Sequence, residues 1–200
     1  MLALIMAGGA GTRLNLGEKP LVQICGRPMV EYVIHAFERA DIAVIVIVSP
    51  GTPYTANWCR AHHVTFVSAD GVGYIPDLIQ AVDELGEQNP LFTCVSDLPC
   101  LTPGLVEEIR SAYEQSGKDA CSTWVPKLLC DQSGCRTAWI ETIEGEPASA
   151  AGINILRGDR IHQEQDELKL LMHHKNLIFN INTREDLLKA EQFLRAQSRS

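Results

Sequence analysis

No apolar stretch in this 200-residue chain approaches the ~20 residues that cross a bilayer, so no membrane span is expected. The start has no basic segment ahead of its apolar run, and glycines cut that run after Met6-Ala7. It therefore does not read as a secretion signal. Basic charge is scarce as well. Seventeen Lys and Arg against 25 Asp and Glu leave a net charge of −8. General nucleic-acid binding rests on the opposite balance, so no nucleic-acid partner is expected, although a small cationic pocket is still allowed. There is no C-x-x-C among the seven cysteines. Cys130 and Cys135 are the nearest pair, with His162, His173 and His174 downstream, but the paired short spacings of zinc sites are missing. An odd number of scattered thiols suits a reducing cytoplasm. The chain also lacks internal repeats, linkers and low-complexity segments, and its length suits one domain spanning residues 1–200.

What stands out is the start, Leu4-Ile5-Met6-Ala7-Gly8-Gly9-Ala10-Gly11-Thr12-Arg13-Leu14, followed by Glu18-Lys19-Pro20-Leu21. A short apolar strand runs into a glycine-rich loop that ends in an arginine, with a lysine six positions later. Glycines let backbone N–H groups approach phosphate oxygens closely, and two cations neutralise their charge. The pattern points to a nucleoside triphosphate at the carboxyl end of the first strand, where open α/β sheets bind ligands. Two commoner glycine signatures are excluded. The dinucleotide fingerprint needs a third glycine where Leu14 stands, and no Gly-Lys-Ser/Thr run completes a P-loop.

Along the chain, residues 1–6 read as a buried strand and 28–39 as a helix, with Pro28 in its first turn and Val30, Val33, Ile34 and Phe37 at i, i+3, i+4, i+7. Residues 42–48 are continuously apolar, as a parallel strand buried on both faces requires. Thr52-Pro53 offers an N-cap and first-turn proline for a helix to about Arg60. Residues 64–67 read as a short strand. Asp70-Gly71-Val72-Gly73 is a second glycine loop, leading into a helix with Ile75, Leu78, Ile79 and Val82 at helical spacing. Strands follow at 91–95 and 120–125, with a helix from Thr102-Pro103 to about Gln115 between them. The pattern weakens over 127–147, where 131–134 reads as a turn and 138–143 as an edge strand. Strands are expected at 152–156 and 177–181, a solvated helix over 157–175, and a final helix capped by Thr183 that carries Leu187, Leu188 and Phe193. The histidine pairs His62-His63 and His173-His174 read as ordinary residues at helix ends. Repeated strand–helix units predict an α/β fold: a Rossmann-like three-layer arrangement with a mostly parallel central sheet and helices on both faces.

Three further constellations fall at strand ends. Asp97, just after a buried strand, suits a Mg²⁺ ligand on the same sheet edge as the glycine loop; the other reading is a turn cap before Pro99. In Ala150-Ala151-Gly152-Ile153-Asn154-Ile155, Gly152 either lets substrate approach the backbone or marks a bulge. In Asn180-Ile181-Asn182-Thr183, alternation puts both asparagines on one side and Ile181 toward the core. Asn182 then reaches a metal, a water or a phosphate, or caps a helix in which Thr183 and Asp186 form a capping-box-like pair. Nothing resembles an activated serine or cysteine nucleophile.

Together, Leu4 to Arg13, Lys19-Pro20-Leu21, Asp97 and the late Asn-x-Asn-Thr-x-x-Asp-Leu resemble the nucleotidyltransferases that activate sugars, cytidine alcohols and cofactors. Within that superfamily the chain is similar to the archaeal GTP:adenosylcobinamide-phosphate guanylyltransferase family. The likeness runs from end to end through Glu18-Lys19-Pro20-Leu21, Cys25-Gly26-Arg27, Ser49-Pro50-x-Thr52-Pro53, Gly71-x-Gly73-Tyr74-Ile75-x-Asp77-Leu78, Ser96-Asp97-Leu98, Ala151-Gly152-Ile153-Asn154 and residues 177–183. The resemblance implies GTP and adenosylcobinamide phosphate as partners, with the phosphate of the latter attacking the α-phosphorus of GTP. It implies Arg13, Lys19 and Asp97 as catalytic residues. It implies a nucleotide site built from Ala7, Gly8, Gly9, Gly11, Thr12, Arg13, Lys19, Gly71, Gly73, Tyr74, Asp97, Gly152, Asn180 and Asn182. Mg²⁺ would be held by Asp97 and Asn182, although a neutral amide is the weaker ligand for a hard cation. Molybdopterin or phospholactate guanylyltransferases, longer sugar nucleotidyltransferases and a GTP-binding regulator are the rival readings. Intact Arg13, Lys19 and Asp97 argue against the regulator. Trp124 and Trp139 are candidates for the corrinoid side of the site, for core, or for a homodimer contact.

Overall fold

The first strand, β1 (Leu2–Met6), splits its side chains between two cores. Ala3 and Ile5 enter one, and Leu4 enters the other. That period of two is what a strand buried on both faces imposes. The computed structural model describes residues 1–9, 14, 16–135, 137 and 139–197. Gly11, Thr12 and Arg13, expected in the triphosphate loop, lie outside the described residues.

After β1 come the small ribbon β2 (Gln23–Ile24) and β3 (Arg27–Pro28), then α1 (Met29–Glu38), β4 (Ala43–Val48), α2 (Pro53–Ala61), β5 (Phe66–Ser68) and α3 (Tyr74–Leu85). The second half holds β6 (Pro90–Val95), α4 (Pro103–Ser116), β7 (Ala120–Pro126), α5 (Lys127–Gln132), β8 (Ile140–Ile143), β9 (Glu146–Arg157), β10 (Glu167–Leu171) and α6 (Arg184–Gln197). The main sheet runs β10-β7-β9-β6-β1-β4-β5, with β8 on β9. β5, β4, β1 and β6 are mutually parallel, and β10 is parallel to β7. β9 runs antiparallel to β6, β7 and β8. The mostly parallel three-layer expectation holds, with the layers unequal. α3 covers one face through Leu78, Ala81 and Val82. α1, α2, α4, α5 and α6 cover the other, where Phe37 meets Phe92 edge-on at 5.2 Å.

Several expectations are corrected. Residues 157–175 do not form a solvated helix. They contain a 3₁₀ turn, Gly158–Arg160, and then β10, an edge strand that pairs, among the described residues, with β7 alone and buries Leu168 and Leu170 partway against the core. Interleaved charge masks its alternation, because an edge strand covers one face only. Residues 177–181 are not a strand either. A 3₁₀ helix, Lys175–Ile178, drives Leu177 and Ile178 into the core, and the chain then runs without ladder pairing. His173 and His174 thus follow a strand, whereas His62 does close α2. Thr52 stands at the N-cap of α2 with Pro53 first in the helix, but its side chain makes no capping bond; the hydroxyl instead accepts from Ser49 N at 3.0 Å. The short α5, then β8 and the first residues of β9 take up the weakly patterned stretch 127–147. Trp124, in β7, is core, while Trp139 is 68% exposed. Among the described residues no helix is long and apolar enough to cross a membrane.

Candidate functional site

Strands β5, β4, β1 and β6 all point their carboxyl ends at one edge of the sheet. The chain leaves β1 toward β4 on one side, and β6 lies on the other, so β1 and β6 flank the point where strand order reverses. Loops diverge there and leave a crevice. A cleft of about 530 Å³ opens at that edge. Among the described residues it is lined by Gly8 and Gly9 after β1, Ser49 after β4, Asp70, Gly71, Gly73 and Tyr74 after β5, Ser96 and Asp97 after β6, and Lys19.

Asp97 is buried, and its carboxyl is raised from the ordinary range, chiefly by desolvation and against the pull of Lys19. The Lys19 ammonium is paired with Asp97 Oδ2 and donates to Asn182 Oδ1 at 2.9 Å. Asp97 Oδ1 has no hydrogen-bond partner among the described residues. A buried carboxylate oxygen left unpaired is costly, so this atom is set up for a ligand. Its site fits a hard divalent cation that takes its remaining ligands from phosphate and water. No group of three or more His, Cys, Asp or Glu among the described residues could hold a metal alone.

Distant segments hold this pair in place. Lys19 opens a one-turn 3₁₀ helix, Lys19–Leu21, and the residue before it is anchored. Glu18 accepts from Tyr54 N at 2.8 Å, Thr55 N at 2.6 Å and the Thr55 hydroxyl at 2.6 Å. A carboxylate thus caps α2 from outside the helix, where orphan N–H groups and the helix dipole favour negative charge. On the other flank, Ile181 N donates to Asp97 O at 3.1 Å, and Asn182 Nδ2 donates to Asn180 Oδ1 at 2.7 Å. Asn180 and Asn182 therefore share a side, with Ile181 in the core, although no strand carries them. Thr183 and Asp186 form the reciprocal cap of α6. Asp186 N donates to Thr183 Oγ1 at 3.2 Å, and Thr183 N donates to Asp186 Oδ2 at 2.8 Å. Asn182 Oδ1 is occupied by Lys19, so a metal role for it requires Lys19 to move.

The other expected residues divide. Gly8, Gly9, Gly71, Gly73 and Tyr74 line the cleft. Ala7 is fully buried and its N–H is bonded to Ile47 O at 2.8 Å, so that amide is not offered to a phosphate. Gly152 has φ +83°. It sits in the bulge where β9 shifts register against β7, and an added Cβ would stand 2.8 Å from Val95. It lies behind Val95 beside Asn180, so the bulge reading is the one observed. Tyr74 sends its hydroxyl under the cleft to Thr93, and burial pushes that phenol up to about 12, so it keeps its proton.

Reading the sequence missed Ser49 and Asp77 as working parts of the site. Ser49 Oγ donates to Gly8 O at 2.7 Å and ties the first loop to the second. Asp77 Oδ1 accepts from Gly71 N and Val72 N, both at 3.0 Å, and shapes the third. The available signal was Asp77 one turn into a helix that follows a glycine loop.

The family model of the MobA-like NTP transferase domain matches residues 3–177. The adenosylcobinamide-phosphate guanylyltransferase of Methanocaldococcus jannaschii is 29% identical, covering 98% of each chain. A probable molybdenum cofactor guanylyltransferase of Thermococcus kodakarensis is 28% identical over 94% of this chain and 92% of its own. Among solved structures, a molybdopterin-guanine dinucleotide biosynthesis protein A of Archaeoglobus fulgidus superposes with a TM-score of 0.65 at 17% identity, covering 98% of this chain and all of that one. A CMP:2-keto-3-deoxy-manno-octonic acid synthetase complexed with CTP gives a TM-score of 0.71 at 14% identity, covering 98% of each.

Proposed function

The chain belongs to the MobA-like NTP transferase family, and from that membership we propose that it transfers GMP from GTP to adenosylcobinamide phosphate. A phosphate oxygen of the acceptor bonds to the α-phosphorus, the α–β bridging P–O bond breaks, and pyrophosphate leaves. One observation carries the choice of acceptor: the likeness to the Methanocaldococcus jannaschii guanylyltransferase spans 98% of both chains.

The site chemistry supports the reaction class. Nucleotidyl transfer needs positioning and charge neutralisation, which a lysine and a metal-ready carboxylate supply. In this reading Lys19 donates to a non-bridging oxygen of the α-phosphate as charge develops there. Asp97 would hold Mg²⁺ through the oxygen that has no partner among the described residues. The bound ion would screen the charge of the triphosphate and the leaving pyrophosphate. Asn182 steers the Lys19 ammonium, and Asn180 fixes Asn182. Gly8 and Gly9 admit the phosphates, and Arg13 adds a second cation.

A second reading, a guanylyltransferase acting on molybdopterin, draws on the relatives named for the molybdenum cofactor. Mass analysis of products formed from GTP with each acceptor in turn separates the two. Adenosylcobinamide-GDP from the first acceptor supports the proposal. A guanylylated pterin alone would replace it with the second reading.

A further inference from the structure

Trp139 leaves 68% of its surface open to solvent. Strand pairing puts that indole beside the cleft. β7 takes one edge of β9 along residues 148–155, so β6 and β8 both lie on the other edge. β6 pairs there from Arg157 to Ile153 and β8 from Ser149 to Glu146, one in line after the other. Ala150 N donates to Trp139 O at 3.1 Å, which extends the β8 register by one rung. Trp139 therefore stands just past the end of β6. Val95, at that end, lines the cleft and packs where a Cβ on Gly152 would lie. From Gly152 to Ala150 is roughly 7 Å of strand.

The rung is built around a small residue. Ala150 stands opposite Trp139 on one side and Trp124 on the other. Paired residues face the same way, so an indole flanks the Ala150 methyl group on each side. Trp124 anchors the rung. It is buried with Ile143, Ala148 and Leu171, and its Nε1 donates to Ser122 Oγ at 2.7 Å. On the same face, Glu141 pairs with Lys169, whose ammonium lies 5.9 Å from the Trp124 ring centre. Ala150 and Trp139 are the exposed members. Along β9, Gly152, Ala151 and Ala150 place nothing taller than a methyl group between Trp139 and the cleft. The result is a low shelf with one open indole.

The described cleft residues come from the ends of β1, β4, β5 and β6, the start of α3, and Lys19. The cleft thus runs from β6 toward β5, and β9 with its shelf lies on the far side of β6. That side is the one a bound nucleotide leaves open for a second reactant. An exposed indole beside a methyl floor gains most from a flat apolar surface laid on it. We propose that Trp139 and Ala150 receive the flat ring of the acceptor, with Trp139 as its specificity-determining contact. The assignment rests on the acceptor reading above and deepens it: in adenosylcobinamide phosphate that ring is the corrin.

The test is equilibrium dialysis of cobinamide, which has the ring without the phosphate, against the GTP-loaded chain. Wild type, Trp139→Ala, Trp139→Phe and Ala150→Leu are compared. The wild type should bind cobinamide saturably. Trp139→Ala should weaken that binding about tenfold or more, and Trp139→Phe should keep most of it. Ala150→Leu raises the floor and should weaken it about as much as Trp139→Ala. GTP affinity should stay within about twofold in every variant, because the shelf lies outside the nucleotide cleft. In turnover, Trp139→Ala should raise KM for adenosylcobinamide phosphate by about the factor seen in dialysis, with kcat within about threefold of wild type. No saturable binding by the wild type, or unchanged binding in Trp139→Ala, would overturn the shelf. Guanylylation of the corrinoid phosphate by the wild type would then leave the acceptor reading standing. Guanylylation of a pterin alone would overturn that reading and the corrin assignment together. A dimer that Trp139→Ala dissociates in sedimentation, with cobinamide binding intact, would also overturn the shelf and give this face to a second copy of the chain. Ala150→Leu decides the matter even if Trp139→Ala does not fold.

Discussion

The ammonium of Lys19 rests on one oxygen of Asp97 and leaves the other, buried oxygen with no partner among the described residues. These residues are 78 positions apart and come from different loops. The pair neutralises a buried charge while keeping one coordination position open, which is what a carboxylate must do to take up a cation with its substrate.

Replacing Asp97 by Asn should lower Mg²⁺-dependent turnover by about a hundredfold or more. Stability should respond differently. Burial raises the Asp97 carboxyl above its unfolded value, so its contribution is present at low pH and lost as pH rises through the raised value. The melting temperature of Asp97→Asn relative to wild type should therefore climb as pH rises from the ordinary carboxylate range toward neutrality. A difference that stays flat, measured by scanning calorimetry, would contradict the burial argument.

Lys19 is the largest influence holding the Asp97 carboxyl down. Lys19→Ala should reduce kcat by roughly 10²–10³-fold with a much smaller change in GTP affinity. It should also move the acid limb of the pH–rate profile upward, because Asp97 then ionises later. The wild-type limb should itself lie above about 3.9, the usual aspartate value. An acid limb that does not move in the variant would separate Lys19 from Asp97.

Glu18 reaches across the fold to cap α2 at Tyr54 and Thr55. Glu18→Ala should cost about 1–2 kcal/mol, or roughly 3–6 °C in melting temperature for a chain of this size. It should also lower kcat, because Lys19 is the next residue. Loss of stability with unchanged kcat would show that the cap does not help to place the lysine.

Gly152→Ala combines a left-handed backbone with a Cβ 2.8 Å from Val95. Strain of about 1–2 kcal/mol before the clash predicts a fall of at least roughly 3 °C. Because Val95 packs on one side and Asn180 on the other, substrate affinity should fall as well. Thermal unfolding beside GTP binding checks both.

Much of this arrangement is legible in the residues. The runs ending at Met6, Val48 and Val95 are apolar enough to announce parallel strands, and whatever follows such strands falls at one edge. Gly8 and Asp97 follow from that logic, whereas Gly71 and Gly73 enter the site through the resemblance. Alternation puts Asn180 and Asn182 together, and they do meet through Asn182 Nδ2 to Asn180 Oδ1, although the strand expected for them is a 3₁₀ turn followed by chain without ladder pairing. What stayed hidden depends on partners far away in the chain. Nothing local marks Glu18 as the cap of a helix that begins 35 residues later, because Thr52-Pro53 is itself a plausible start. Asp77 reads as a first-turn acidic residue until the Gly71 loop folds back onto it. β10 was lost because Glu167, Lys169 and their neighbours look solvated, and an edge strand hides its apolar side in so few residues.

The most direct test of the account is pyrophosphate release from GTP, ATP, CTP and UTP, each with and without adenosylcobinamide phosphate and Mg²⁺. The account predicts release only when GTP, the corrinoid and the metal are all present. Release that ignores the base, or GTP binding with no release for any acceptor, would contradict it.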